Sequence, residues 1–205
     1  IGLPPQLTAT TGMDALTHAV EAYIGQSTTK QTRKASVEAV RLIFANLPAA
    51  YADGSNLTAR ANMLRASYLA GTAFTKSYVG YVHAVAHSLG GCYGIAHGLA
   101  NSVLLPVVLR AYGASAYKKL AELARAAGIS SDPTDSKAAE EFIWRIEELN
   151  ASMNIPKTLS GICDKDIPML AAYADHEANP LYPVPSLWDR KELEQIYYLV
   201  QGQTY

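Results

Sequence analysis

The sequence predicts an all-α domain, on three observations. Apolar residues recur at three- and four-residue spacing through one segment after another. Capping residues, glycines and prolines punctuate those segments at intervals that suit helices. No stretch shows sustained apolar–polar alternation bounded by hairpin turns. With 205 residues, 49% of them hydrophobic and 17% charged, the chain has core enough for a single helical domain over 1–205. Seventeen basic side chains against eighteen acidic ones argue against a nucleic-acid surface, and no run approaches the ~18 apolar residues of a membrane span.

Taken in order, residues 1–10 read as a connector leading from a preceding part of a longer polypeptide, and Thr11 as the cap of a helix over about 12–26. Met13, Leu16, Val20 and Ile24 give that helix its apolar stripe. Thr28 and Thr29 open a second helix over about 30–52, closed by Asp53-Gly54; Ser55 or Asn56 caps a third, alanine-rich, over about 57–78. Gly80 interrupts, and a histidine-bearing helix follows over about 81–89. The next helix starts near His97, and Pro106 inside it is expected to kink or divide it. Short helices are expected over about 117–127, closed by Gly128, and over about 137–153, where acidic and apolar positions alternate around a core-facing stripe. Asp164 is expected to cap a helix ending near His176, the proline-rich NPLYPVPS to be extended, and Asp189 to open a last helix to about Val200.

The chemistry gathers in HAVAHSLGGCYGIAHGLAN, residues 83–101, which holds three of the five histidines. His83 and His87 are one helical turn apart and so share a face, as do Asp14 and His18 far upstream. Gly90, Gly91, Gly94 and Gly98 let the chain turn back and return His97 towards the first two imidazoles. Imidazoles and one carboxylate could thus converge on a divalent ion. Such ligands without thiolate suit Fe(2+) or Zn(2+) rather than calcium, which takes oxygens. A metal of that kind can act as a Lewis acid on an alcohol or carbonyl oxygen. His176, between Asp175 and Glu177, reads as a solvated surface residue. Cys92 and Cys163 form no disulfide framework, which suits a reducing cytoplasm, and Cys92 reads as a small buried thiol filling space. Two other readings stay open at this point. One is a helical metallohydrolase activating water, for which Asp175-His176 is the nearest thing to a further ligand pair; the other is a non-catalytic domain whose histidines only pack.

TGMDALTHAVEAY, YVHAVAHSLGGCYGIAHGLANSVLLP and ANPLYPVP, in that order and spacing, resemble the C-terminal half of the iron-containing (group III) alcohol dehydrogenases, and the likeness runs over essentially the whole chain. The resemblance implies a helical domain of the dehydroquinate-synthase-like type with metal ligands Asp14, His18, His83 and His97. His87 matches a family histidine near the nicotinamide and the substrate that does not bind the metal. NAD(P) is then held mainly by an N-terminal nucleotide-binding domain, whose glycine-rich turn does not occur among these residues. The resemblance also implies a small alcohol or aldehyde as substrate, a cytoplasmic homo-oligomer, and no turnover by this half alone. Two positions depart from the family pattern: Ala96 where many relatives have proline, and NPLYP where they often show NPR.

Overall fold

The computed structural model describes residues 1–202. Among these the expected all-α architecture stands: nine α-helices and one 3-10 turn, with no strand beyond an isolated bridge between Leu159 and Gln201. The axis is α1 (Pro5–Ile24), against which α2 (Lys30–Ala52) and α3 (Leu57–Ser77) pack side by side. α4 (Tyr81–Tyr93) and α5 (His97–Tyr112) follow, α5 lying against α1 and α4. α6 (Ala114–Ala126) pairs with α7 (Asp135–Ser152), while α8 (Ile167–Ala178) packs on α4 and is closed by α9 (Arg190–Val200).

α1 is buried on almost every side, as a helix at the centre of a domain must be. From Thr8 to Ile24 every residue is buried except Thr11, Asp14 and His18, which follow one another at helical spacing and form its single open stripe. Burying side chains such as Met13, Leu16 and Ile24 is worth about 1.5–3 kcal/mol each, which outweighs the weak helix preference of the threonines and Gly12 around them. α4 repeats the pattern: from Tyr81 to Leu89 only His87 is exposed. Both stretches therefore open to solvent at the residues that carry chemistry.

Several boundaries differ from the sequence reading. α1 begins at Pro5, so residues 5–10 are helix rather than connector, and Thr11 is inside it rather than capping it. Pro5 at the first helical position fits without loss, because its missing N–H would have no partner there. The Thr10 and Thr11 hydroxyls donate back to the Gln6 and Leu7 carbonyls. α4 runs through Gly90 and Gly91 to Tyr93; the turn back comes at Gly94 alone, with φ +65°. Pro106 does not divide α5. The Ser102 carbonyl that its absent N–H would have served takes a hydrogen bond from Asn150 Nδ2 on α7 at 2.7 Å. Before α8 comes a 3-10 turn, Asp164–Asp166, in place of a simple cap. The NPLYPVPS segment is not extended throughout: it opens as a turn, the Tyr182 N–H donating to the Ala178 carbonyl. Cys92 is exposed, not a buried filler, because it falls in the last turn of α4 beyond the core.

Gly98 shows how α5 is brought to α1. A Cβ there would stand 2.6 Å from the Thr10 carbonyl oxygen, which belongs to the backbone of α1 and cannot move aside cheaply. Only glycine allows this approach, one turn before Asp14. Gly98→Ala should cost ~1–3 kcal/mol by overpacking, lowering the melting temperature by about 2–4 °C for each kcal/mol at this size. An unchanged melting temperature would show that the two backbones are not pressed together.

Candidate metal centre

Three helices supply the site. Asp14 and His18 come from the open stripe of α1, His83 from the first turn of α4, and His97 is the first residue of α5. One ligand atom from each of the four lies within 4.8 Å of all the others. Asp14 Oδ1 is 3.7 Å from His18 Nε2, 3.7 Å from His83 Nε2 and 3.3 Å from His97 Nε2. Ligands bonded at ~2.1 Å to a tetrahedral ion stand ~3.4 Å apart, so these separations fit a first-row divalent metal. Asp14, His18, His83 and His97 are thus brought together. His87, on the same face of α4, is outside this group, and exposed His176 is no part of it.

Glu21, two turns beyond Asp14 on α1, holds the arrangement from behind. Its carboxylate is almost wholly buried and accepts from the Val82 N–H at 2.8 Å and from His83 Nδ1 at 2.5 Å. It therefore completes the first turn of α4, whose N-cap Gly80 offers no side chain, and it places a negative charge where the helix dipole is positive. It also fixes the His83 ring with Nε2 turned to Asp14. Gly80 permits the contact, since a Cβ would lie 2.8 Å from Glu21 Oε1. Asn101, fully buried one turn after His97, donates through Nδ2 to Asp14 Oδ1 at 2.7 Å and lies 3.0 Å from His97 Nε2.

The electrostatics call for a cation. Burial works against a charge on His83, but Glu21 on one side and Asp14 on the other outweigh it and push the imidazole up to about 9. Burial would raise Asp14, yet hydrogen bonds from the imidazoles of His83 and His97, with His18 beside it and the Asn101 amide, hold it well below the carboxylate range. Burial and the neighbouring His83 push His18 down to about 4, so it keeps its lone pairs; its ring is stacked between Phe74 and His83. Two carboxylates thus hold one positive charge on His83 as a proton, and a divalent ion bound by Asp14 and the imidazoles would take its place.

In front of the ligands opens a cavity of about 410 Å³, walled by Phe74, Tyr78, Val79, His87 and Tyr182. That is the size of a small-molecule pocket, apolar with a few convergent polar groups. Tyr78 is held at φ +64° between α3 and α4, a conformation rare for a bulky residue, which turns the chain sharply into this wall. His87 stacks on His97 with ring centroids 5.2 Å apart, and its Nδ1 meets Glu177 Oε1 at 2.7 Å.

Glu21, Asn101, Glu177, Phe74 and Tyr182 were not singled out by the sequence. Glu21 had a signal, sharing the helical face of Asp14 and His18, and Asn101 another, four residues after His97. The other three reach the site from distant segments.

The model of the Fe-containing alcohol dehydrogenase family, C-terminal part, matches residues 8–199. A 1,3-propanediol dehydrogenase of Citrobacter freundii is 45% identical over 200 residues, 96% of this chain and 51% of that protein. The crystal structure of a 1,3-propanediol oxidoreductase superposes with a TM-score of 0.91 at 43% identity, over 96% of this chain and 52% of that one. A sulfoacetaldehyde reductase of Bifidobacterium kashiwanohense, crystallised with NAD+, superposes with a TM-score of 0.85 at 26% identity, over 97% and 51%. The chain spans about half the length of the relatives it matches.

Proposed function

The chain belongs to the iron-containing alcohol dehydrogenase family, as the C-terminal part of its members, and from this we propose that it is the metal-binding half of an NAD(P)-dependent dehydrogenase interconverting small alcohols with aldehydes or ketones. The observation that carries the reading is the meeting of Asp14, His18, His83 and His97 at the floor of a cavity of ligand size. These four would hold Fe(2+), with Zn(2+) as the other ion the donors accept. A divalent metal there supplies Lewis acidity towards the substrate oxygen. The chain's own residues do the rest. Glu21 and Asn101 keep His83 and Asp14 aimed. Phe74 and Val79 give the cavity an apolar side for the carbon skeleton and limit the water that reaches it. His87, one turn from His83 and exposed at the rim, offers a ring nitrogen through which the hydroxyl proton can leave for solvent. The dinucleotide would be held mainly by an N-terminal domain and would supply the hydride acceptor, and intact molecules are expected to associate as homo-oligomers. No single helix among the described residues is long and apolar enough to cross a membrane.

The metallohydrolase reading is the weaker one. Asp175, its further candidate ligand, is engaged by Arg190 at 2.8 Å and by Asn179 at 2.9 Å, not by the ligand group.

The test uses the protein at its full natural length, with NAD+ or NADP+ and a panel of short primary alcohols and diols. Cofactor reduction should appear, disappear after dialysis against a chelator, and return on adding Fe(2+) or Zn(2+). The 205-residue chain alone should reduce no cofactor. Turnover that survives complete removal of metal, or turnover by the isolated half, would overturn the reading.

A further inference from the structure

The NPLYP segment brings Tyr182 to the cavity, and the preceding turn of α8 brings Glu177. Glu177 meets His87, and Tyr182 meets Glu177. Glu177 Oε1 is 2.7 Å from His87 Nδ1 and accepts the Tyr182 hydroxyl at 2.7 Å. Resting on the dehydrogenase reading above, we infer that Glu177 is a positioning residue for the reaction: with Tyr182 it fixes the His87 ring so that Nδ1–H is spent on the carboxylate and Nε2 is left for the cavity.

Three features support this. First, a neutral imidazole has one N–H, and the partner that takes it decides which nitrogen is left as acceptor. An ionised carboxylate has no hydrogen to donate, so the ring nitrogen facing it must carry the N–H. Half-burial works against the charge on Glu177, but the hydrogen bonds from His87 and Tyr182 outweigh it and hold the carboxyl below its usual range. Second, Tyr182 is itself held in place. Its N–H donates to the Ala178 carbonyl, and the segment is clamped to the core through Asn179, whose Oδ1 accepts from the buried Tyr81 hydroxyl at 2.7 Å and whose Nδ2 donates to the Trp188 carbonyl at 2.9 Å. Tyr81 and Trp188 are stacked with centroids 4.8 Å apart. The phenol is thus a rigid post beside Glu177 and shares the carboxylate oxygen with His87. Third, the His87 ring lies nearly parallel to that of His97, at 19°, so the orientation Glu177 imposes is compatible with the ligand set beside it. A ring free to flip would present N–H to the cavity half the time and could not take the hydroxyl proton in that orientation.

The experiment uses the full-length protein with Glu177→Leu, Glu177→Gln and Tyr182→Phe. Leucine fills the space but cannot accept; glutamine accepts through its amide oxygen without the charge. Glu177→Leu should lower kcat about 10- to 100-fold, the usual cost of misaligning a reacting group, with KM and bound metal unchanged. Glu177→Gln should recover most of the loss, and Tyr182→Phe should cost a few-fold at most, by roughly one hydrogen bond. Full kcat in Glu177→Leu, a glutamine variant as slow as the leucine one, or a loss confined to KM or to metal content would each overturn the inference. The tautomer of His87, read by nitrogen-15 NMR of the selectively labelled protein, decides it independently of turnover: Nδ1–H in the unsubstituted protein and a mixture in Glu177→Leu support it, and the same tautomer in both contradicts it. Failure of the unsubstituted protein to bind metal or turn over would instead tell against the dehydrogenase reading.

Discussion

Alanine in place of His97 should remove metal from the protein and with it the activity. His97 is the ligand that α5 contributes, and Asp14 Oδ1 is closer to its Nε2, at 3.3 Å, than to those of His18 and His83. A four-ligand site worth on the order of 10–16 kcal/mol loses roughly a quarter of that with one ligand, so the affinity should fall by on the order of a hundred- to a thousandfold. Turnover should fall at least as far, since the electrostatic help of a metal to a developing charge is among the largest single contributions an active site makes. The fold should persist, because the His97 side chain is 42% exposed and supports little of the core. Equilibrium dialysis with Fe(2+) or Zn(2+), read by elemental analysis beside a thermal melt, separates loss of ligand from loss of structure. Full metal content in His97→Ala would remove His97 from the ligand set.

The second large effect should come from a residue that touches no metal. Glu21→Leu strands the Val82 N–H and leaves the buried positive charge of His83 facing Asp14 alone. Removing one member of a buried ion pair costs ~3–5 kcal/mol, and removing the partner that orients a ligating imidazole costs about 10- to 100-fold in affinity. Both losses should appear together, because one carboxylate serves the N-terminus of α4 and the ring that follows it. Glu21→Gln, which can still accept one of the two bonds, should fall between. Chemical denaturation and metal titration of the same preparations measure the two. A leucine variant as stable as the original, with unchanged affinity, would mean that α4 and His83 are held by packing alone.

What could be read along the chain and what could not divide according to the range of the interaction. Asp14 with His18, and His97 returned by glycine, were legible because helical spacing and a turn residue are local signals. So were the caps at Thr29, Asn56 and Asp189, where a side chain serves an amide three residues on. The start of α1 was misplaced because three threonines and a glycine resemble a helix entrance, while burial of Thr8, Ala9 and Thr10 against neighbouring helices carries the helix back beyond Thr11, and exposed Pro5 opens it. Pro106 was expected to kink or divide α5 because nothing nearby shows that Asn150, 48 residues beyond Ser102, serves the freed Ser102 carbonyl. The supporting contacts were the least legible. Glu21 meets Val82 across 61 positions, Asn101 meets Asp14 across 87 and His87 meets Glu177 across 90, and such pairs exist only once the helices have packed.

All of this depends on one ion lying where α1, α4 and α5 meet. Crystals of the full-length protein grown with Fe(2+), with diffraction collected on either side of the iron absorption edge, test that directly. A single anomalous peak is expected, within about 2.0–2.3 Å of a carboxylate oxygen of Asp14 and of the Nε2 atoms of His18, His83 and His97. A peak bound by other side chains, or none in protein that reduces its cofactor, would contradict the account.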